Sequence, residues 1–365
     1  MALNSVITPL SKTFSGKKVL VTGNTGFKGS WLTLWLEHLG ATVSGFSNIE
    51  KTQPSMFDDL GIAKHINQFY GDISDRDTLL ESIKTTNPDF IFHLAAQSIV
   101  SKSYSSPLET IKTNSLGTAT LLDVLVELEF GGVAVMITSD KCYENDERAS
   151  GYREDDRLGG RDPYSASKAA AEIFLSSFIR SFFHDSSRQR IGIARAGNVI
   201  GGGDWNENRI VVDCAKAWLK SQKVSIRNPK ATRPWQHVLE PLSGYLKLAQ
   251  KLSETPGLHG EAFNFGPDDS KVYTVNEVVN RLGKCWGHEE VEDHVEFSEN
   301  GVMHEASLLS LNCEKAAEKL SWAPRLEIDE CLKLIADWYK QFGRNPDKLL
   351  GLTLEQIKYY ESKAS

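Results

Sequence analysis

The chain has little of what would direct it to a membrane, a metal or a nucleic acid. None of its apolar runs is long enough to cross a bilayer, and the opening stretch MALNSVITPLSKTFSGKK lacks the uninterrupted apolar core of a signal peptide. A cytoplasmic location is the expectation. Cysteine is scarce and odd in number: five, scattered at Cys142, Cys214, Cys285, Cys313 and Cys331, with no C-x-x-C. Reduced thiols and no bound metal are expected. Excess charge of one sign is missing too. With 41 Lys and Arg against 48 Asp and Glu the formal charge is -7, so no basic field advertises nucleic acid or an anionic membrane. Any anionic ligand must be met by a local pocket.

What is present is an alternation. From Lys17 onward, short β-rich runs (KKVLVTG, TVSGFS, INQFYGD, DFIFHLAA, GVAVMITS, RIGIARAGNV) alternate with segments of helical periodicity beginning near Ser30, Asp75, Pro107 and Tyr164. That order predicts βαβ units and a Rossmann-type, doubly wound parallel sheet in an α/β protein. After Val199 the alternation gives way to loop-like stretches, GGGDWNENR, RNPKATRPWQHV and NFGPDDSK. The predicted division is a dinucleotide-binding domain over 15–198 with part of 234–265, a smaller mixed α/β substrate domain over 199–233 and 266–345, and a C-terminal tail, helical or peripheral, over 346–365.

The first strand runs into VLVTGNTGFKGSWL, with Gly23, Gly26 and Gly29 at the mouth of a helix. Glycines there let the backbone turn tightly and approach a pyrophosphate, whose charge rests on the helix N-terminus. The G-x-x-G-x-x-G spacing marks a variant of the dinucleotide site. Thr25, Phe27 and Lys28 lie within the same turn. Asp72 and Ile73 follow the third strand, Leu94, Ala95, Ala96 and Gln97 the fourth, and Asn114 the next helical segment. All are candidate cofactor contacts, although Ala95 and Ala96 are equally readable as strand–helix packing. The second strand ends with Ser47, where an acid would grip the ribose hydroxyls of NAD, and no arginine stands there for a 2′-phosphate. NAD is favoured over NADP.

DPYSASKAAAE puts Tyr164 and Lys168 four residues apart, on one helix face. A nearby ammonium favours the phenolate, so the tyrosine, with an ordinary pKa of about 10, is expected to fall toward a usable base. ITSDKCYE closes the fifth strand with an acid and a base side by side, Asp140 and Lys141, after the hydroxyl of Ser139. Mutual ion pairing would hold both in their charged, inert forms; burial would favour both neutral forms.

Together, TGNTGFKG, HLAAQ, TSDKCY, YSASK, AGNVIGGGDW and RPWQHV resemble the extended short-chain dehydrogenase/reductases and, within them, the nucleotide-sugar 4,6-dehydratases, over about Lys17 to Trp338. The resemblance implies an internal redox cycle: hydride leaves carbon 4 of a glucose for NAD, water is lost across carbons 5 and 6, and hydride returns to carbon 6. It assigns Tyr164 as the base for the 4-hydroxyl, helped by Lys168 and by Ser139, which stands where threonine is usual. Asp140 becomes the acid and Lys141 the base of the elimination. Relatives acting on dTDP-glucose end this strand in Thr-Asp-Glu, whereas those acting on CDP-glucose share Asp-Lys, so CDP-glucose is the expected substrate. Other nucleotide sugars, a 4-epimerase, or a cofactor-binding protein without turnover remain alternatives. For the substrate, the resemblance suggests Asn198 and Arg233 at the pyrophosphate and Arg209 or Arg227 near ribose or phosphates. Gly203 and Trp205 are further candidates, as is His304 in HEASLLSLN. Trp205, Trp235 and His237 are readable either as stacking partners or as core. Two apolar helices, PLETIKTNSLGTATLLDVLVEL and YSASKAAAEIFLSSFIRSFF, point to a homodimer or a dimer of dimers.

Overall fold

Along the first strand, β1 (Lys18–Thr22), Val19 and Val21 point to one core and Leu20 to the other, and all three are buried. This is the signature of a sheet covered on both faces. The same holds along β4 (Phe90–His93), where Phe90 and Phe92 face one side and Ile91 the other, and along β5 (Val133–Ile137), where Ala134 and Met136 oppose Val133 and Val135. A computed structural model describes residues 9–49, 52–148, 150–184, 188–267, 272–297 and 309–363. With β2 (Thr42–Ser47), β3 (Asn67–Tyr70), β6 (Arg190–Ala196) and β7 (Ala262–Phe265), these strands form one seven-stranded sheet in the order β7-β6-β5-β4-β1-β2-β3. Every pairing in it is parallel. Strand order reverses beside β1, so a crevice opens at the carboxyl ends of β1 and β4, where α/β sheets bind ligands.

The helices α1 (Phe27–His38), α2 (Arg76–Thr86), α3 (Gly117–Glu127), α4 (Pro163–Ser181), α5 (Ile210–Leu219) and α6 (Leu239–Glu254) connect or cover these strands. One core gathers α1 and α6; the other gathers α2, α3 and α4. Trp31 and Trp35 of α1 are fully buried, and the Trp31 indole donates to the Gly202 carbonyl at 2.9 Å, tying the dinucleotide side to the GGGDW loop. Helix α4 starts where the sequence dictates: Asp162 accepts from the Ser165 amide at 3.0 Å, and Pro163 occupies the first turn. That cap fixes Tyr164 at the helix mouth.

The segment expected as a tail is integral to the core. Helix α9 (Leu349–Ser362) packs on α1 and on α8 (Ile328–Arg344), which also packs against α7 (Val275–Trp286). Ile357 and Tyr360 are fully buried. Tyr360 donates to the buried Glu240 carboxylate at 2.6 Å and sits 2.8 Å from Ser243, which also receives the Trp322 indole. Burying each such large side chain contributes about 1.5–3 kcal/mol. Tyr360→Phe keeps that apolar surface but leaves a Glu240 oxygen short of a donor, an expected loss of about 1–3 kcal/mol. Urea denaturation should show a lower midpoint; an unchanged midpoint would mean that α9 is not anchored through this bond.

Candidate active site

The crevice is a cleft of about 1270 Å³ lined from the ends of β1 to β6 and by residues after Val199. Its dinucleotide side is built by backbone. Gly23 has φ +72°, and a Cβ there would lie 2.7 Å from the Ala95 amide; a Cβ on Gly29 would lie 2.2 Å from the Gly23 carbonyl oxygen. Both positions therefore require glycine. Gly26 caps α1 without a side-chain hydrogen bond, so amides of the first turn are not taken by a side-chain cap and suit a pyrophosphate. Thr25, Phe27, Lys28, Asp72, Ile73, Leu94, Ala95 and Ala96 all line the cleft. The residues present fit a dinucleotide. At the end of β2, Ser47 is buried and receives a 3.4 Å contact from the Gln68 amide.

Two of the candidate cofactor contacts also brace the loop after β4. Asn114 accepts from the Gln97 amide at 2.8 Å and donates to the Gln97 carbonyl at 3.0 Å and to Ser167 at 2.9 Å. It lies in a π-helical turn, Lys112–Leu116, and does not line the cleft. Gln97 reaches the cleft wall, but its amide group is bonded to Ile99 and Thr110. Both side chains shape the loop after β4, because buried amides bond to whatever backbone is nearest.

On the opposite wall Ser139 begins a short turn, Asp140–Cys142, at the end of β5. Its hydroxyl donates to Asp140 at 2.9 Å, receives the Lys141 amide at 3.2 Å and interacts with the Tyr164 phenol. Asp140 is buried, and desolvation raises its pKa despite the opposing pull of Lys141, the Ser139 bond and Lys28. No ion pair joins Asp140 to Lys141 among the described residues within 4 Å. The pair is not a loop-closing salt bridge.

Tyr164 departs from expectation. Its pKa is pushed up to about 12, first by burial and then by Asp140, against the Ser139 bond and Arg209. Lys168, buried four residues on, is lowered to about 8 by burial. In the protein alone, burial of the phenol outweighs the Ser139 bond and the Arg209 charge. Lys28, reaching from the glycine turn to 3.4 Å from the Tyr245 hydroxyl, is also lowered to about 8 by burial, with Arg209 and Lys168 adding to the shift and Asp140 opposing it.

Asn198, Arg209, Arg227 and Arg233 line the remaining wall. Arg209 is held by the buried Asp204 at 2.7 Å, a partner that the motifs do not single out although GDWNENR carries both residues. Arg227 donates to Asn208 at 3.2 Å, and Arg233 to the Thr232 carbonyl at 2.7 Å. Gly203 and Trp205 line the same cleft and also serve packing. A Cβ on Gly203 would meet the Met56 side chain at 2.7 Å, and Trp205 is buried among Trp338, Tyr339 and Phe342. His237 is buried edge-on to Trp31 and held neutral by desolvation, its pKa lowered to about 3. Trp235 reaches the cleft, with its indole on the Tyr273 carbonyl at 3.0 Å. His304 lies outside the described residues.

The chain matches the family model described as GDP-mannose 4,6 dehydratase over residues 20–335. It is 43% identical over 343 residues to the CDP-glucose 4,6-dehydratase of Salmonella typhimurium, an alignment spanning 92% of this chain and 94% of that protein. It is 24% identical to the UDP-glucose 4-epimerase of Mycoplasma pneumoniae, over 89% and 97% of the two chains. The fold is that of the dTDP-glucose 4,6-dehydratase from Bacillus anthracis in complex with NAD, with a TM-score of 0.74, 21% identity and coverage of 92% and 99%. The UDP-glucose 4-epimerase of Thermotoga maritima with UDP-glucose is similar in fold, with a TM-score of 0.75, 22% identity and coverage of 89% and 99%. A match across most of the chain, to the family model and to a relative at 43% identity, gives the conclusion that the chain belongs to the GDP-mannose 4,6 dehydratase family.

Proposed function

We propose that the protein converts CDP-glucose to CDP-4-keto-6-deoxyglucose, a hydro-lyase reaction run through an internal redox cycle with NAD. The observation that carries this reading is the acid and base at the end of β5, Asp140 and Lys141, standing unpaired with each other beside Tyr164. Epimerisation at carbon 4 has no use for such a pair. The relative at 43% identity supports CDP-glucose over other nucleotide sugars.

NAD, when bound, supplies the hydride acceptor and, in its oxidised form, a positive charge. Tyr164 takes the proton of the 4-hydroxyl while Ser139 holds the reacting oxygen. A phenol held near 12 is a weak acid, so it becomes a base only with cationic help, and Arg209 and Lys168 provide part of it. The 4-ketone acidifies carbon 5. Lys141 then removes that proton, and Asp140, which burial keeps toward its protonated form, delivers one to the hydroxyl leaving carbon 6. Asn198, Arg209, Arg227 and Arg233 are assigned to the nucleoside diphosphate, guanidinium groups being matched to phosphate oxygens. On this reading 199–233 and 266–345 form the substrate-binding part.

A homodimer is part of the same proposal. Leu108, Ile111 and Leu116 lie exposed on one helical stretch, and Ile173, Phe174 and Phe182 on or just beyond the adjoining α4. So much exposed apolar surface on neighbouring helices suits a four-helix interface between two copies. Light scattering should give twice the chain mass, and Ile173→Glu should shift it to the monomer. A dilution-stable monomer in the unaltered protein would refute the dimer.

Incubation with CDP-, dTDP-, UDP- and GDP-glucose, read by the alkaline ultraviolet absorbance of 4-keto-6-deoxy sugars, tests the reaction and the base together. Product from CDP-glucose at the highest kcat/KM is expected; preference for another nucleotide would overturn the substrate, and 4-epimers in place of keto sugar would overturn the reaction. Among variants, Tyr164→Phe should abolish the first hydride transfer. Lys141→Met should permit that transfer yet lower keto-sugar formation by about 10²–10⁴-fold, the usual contribution of a positioned acid or base. Near-normal product from Lys141→Met would remove it from the elimination.

A further inference from the structure

Behind the reacting turn lies a buried ion pair that takes no part in the proton and hydride transfers. Glu172 sits on α4, four residues beyond Lys168 and eight beyond Tyr164, and is buried. Both its oxygens are taken by Arg195 of β6, from Nε and from Nη2, each at 2.8 Å. Replacing a buried pair of this kind by apolar groups is often neutral or stabilising, so stability alone is a weak reason for it. Its remaining bonds are more informative. Glu172 also accepts from the Thr138 hydroxyl at 2.5 Å, and Arg195 Nη1 donates to the Tyr143 hydroxyl at 2.7 Å and to the Glu154 carbonyl at 2.9 Å. Thr138 is two residues before Asp140; Tyr143 is two residues after Lys141.

One ion pair thus grips both ends of the segment that carries the acid and the base. The Tyr143 hydroxyl goes on to donate to Asn264 of β7 at 2.7 Å, and Asn264 donates to the Tyr152 and Asn312 carbonyls at 2.8 and 3.1 Å. Tyr143 and Tyr152 stack with centroids 5.2 Å apart. The turn is therefore referenced to the catalytic helix on one side and to the far edge of the sheet on the other.

We propose that Glu172 and Arg195, acting through Thr138 and Tyr143, are positioning residues that set where Asp140 and Lys141 stand, and that they govern the elimination rather than the oxidation. The proposal rests on the dehydratase reading above. Oxidation draws its base, Tyr164, from α4 itself, which keeps its own cap at Asp162, and takes only the Ser139 hydroxyl from the clamped turn. Elimination depends on two side chains of the clamped turn. A displacement of about 1 Å in a catalytic group costs about 10²-fold.

The test uses the holoenzyme and the single-atom or isosteric variants Tyr143→Phe and Thr138→Val, with Glu172→Gln as the stronger change. In single turnover with CDP-glucose, the rise of reduced-cofactor absorbance should stay within about twofold of the unaltered enzyme, while its decay and keto-sugar formation slow about ten- to a hundredfold. Equal slowing of both phases, or no slowing, would overturn the proposal. Hydrogen exchange is the independent arm: amides of 139–144 should lose protection in Tyr143→Phe while those of α4 beyond its first turn do not. Unchanged exchange at 139–144 overturns the clamp whatever the enzyme turns over. If the unaltered enzyme makes no keto sugar from any nucleotide sugar, the dehydratase reading fails instead, and the exchange result still decides the clamp.

Discussion

Removal of water from ionisable groups at the carboxyl edge of the parallel sheet is the constraint on which the site depends. Asp140, Tyr164, Lys168 and Lys28 all meet in or beside one cleft, and for each of them burial is the largest influence on its proton affinity. Burial raises the acids and lowers the lysines, so every group is drawn toward its neutral form. Proton transfer between neighbours is then a small step rather than the breaking of a salt bridge. Of the buried pairs, Glu172 with Arg195 lies behind the reacting turn, whereas Asp204 holds Arg209 in the cleft wall itself.

The fold serves this arrangement from both ends. Strand order reverses beside β1, which places the glycine turn and the loop after β4 on one wall and the end of β5 on the other. Gly23 and Gly29 are required because Leu94, Ala95 and the turn's own backbone leave no room for a Cβ. Helix α9 and Tyr360, remote from the cleft, complete the core against which α1 and α6 pack.

Much of this is legible in the sequence because the informative residues sit at strand ends, where a short motif and a local conformation determine each other. The glycine turn, TSDK and YSASK each carry their own placement in the residues beside them. What stays hidden are side chains whose partners are distant in sequence. Asn114 and Gln97 carry groups fit for a cofactor, yet the Asn114 amide bonds the Gln97 backbone and the Gln97 amide bonds Ile99 and Thr110. Trp205 is readable as a stacking partner or as core, and what decides its packing is α8, more than a hundred residues later. The spacing of Tyr164 and Lys168 predicts a lowered phenol pKa, and burial reverses the sign. Glu172 gives one faint signal, its helical spacing from Lys168, and its meaning depends on Arg195 arriving from another strand.

The central claim is that one desolvated cleft carries oxidation, loss of water and reduction in sequence without releasing the sugar. CDP-glucose bearing deuterium at carbon 4, mixed with unlabelled CDP-glucose distinguished by carbon-13, tests this directly by mass spectrometry of the product. The account predicts deuterium at carbon 6 of the molecules that began with it and none in the others. Deuterium lost to water, or found on carbon-13 molecules, would contradict a closed cycle in a single site.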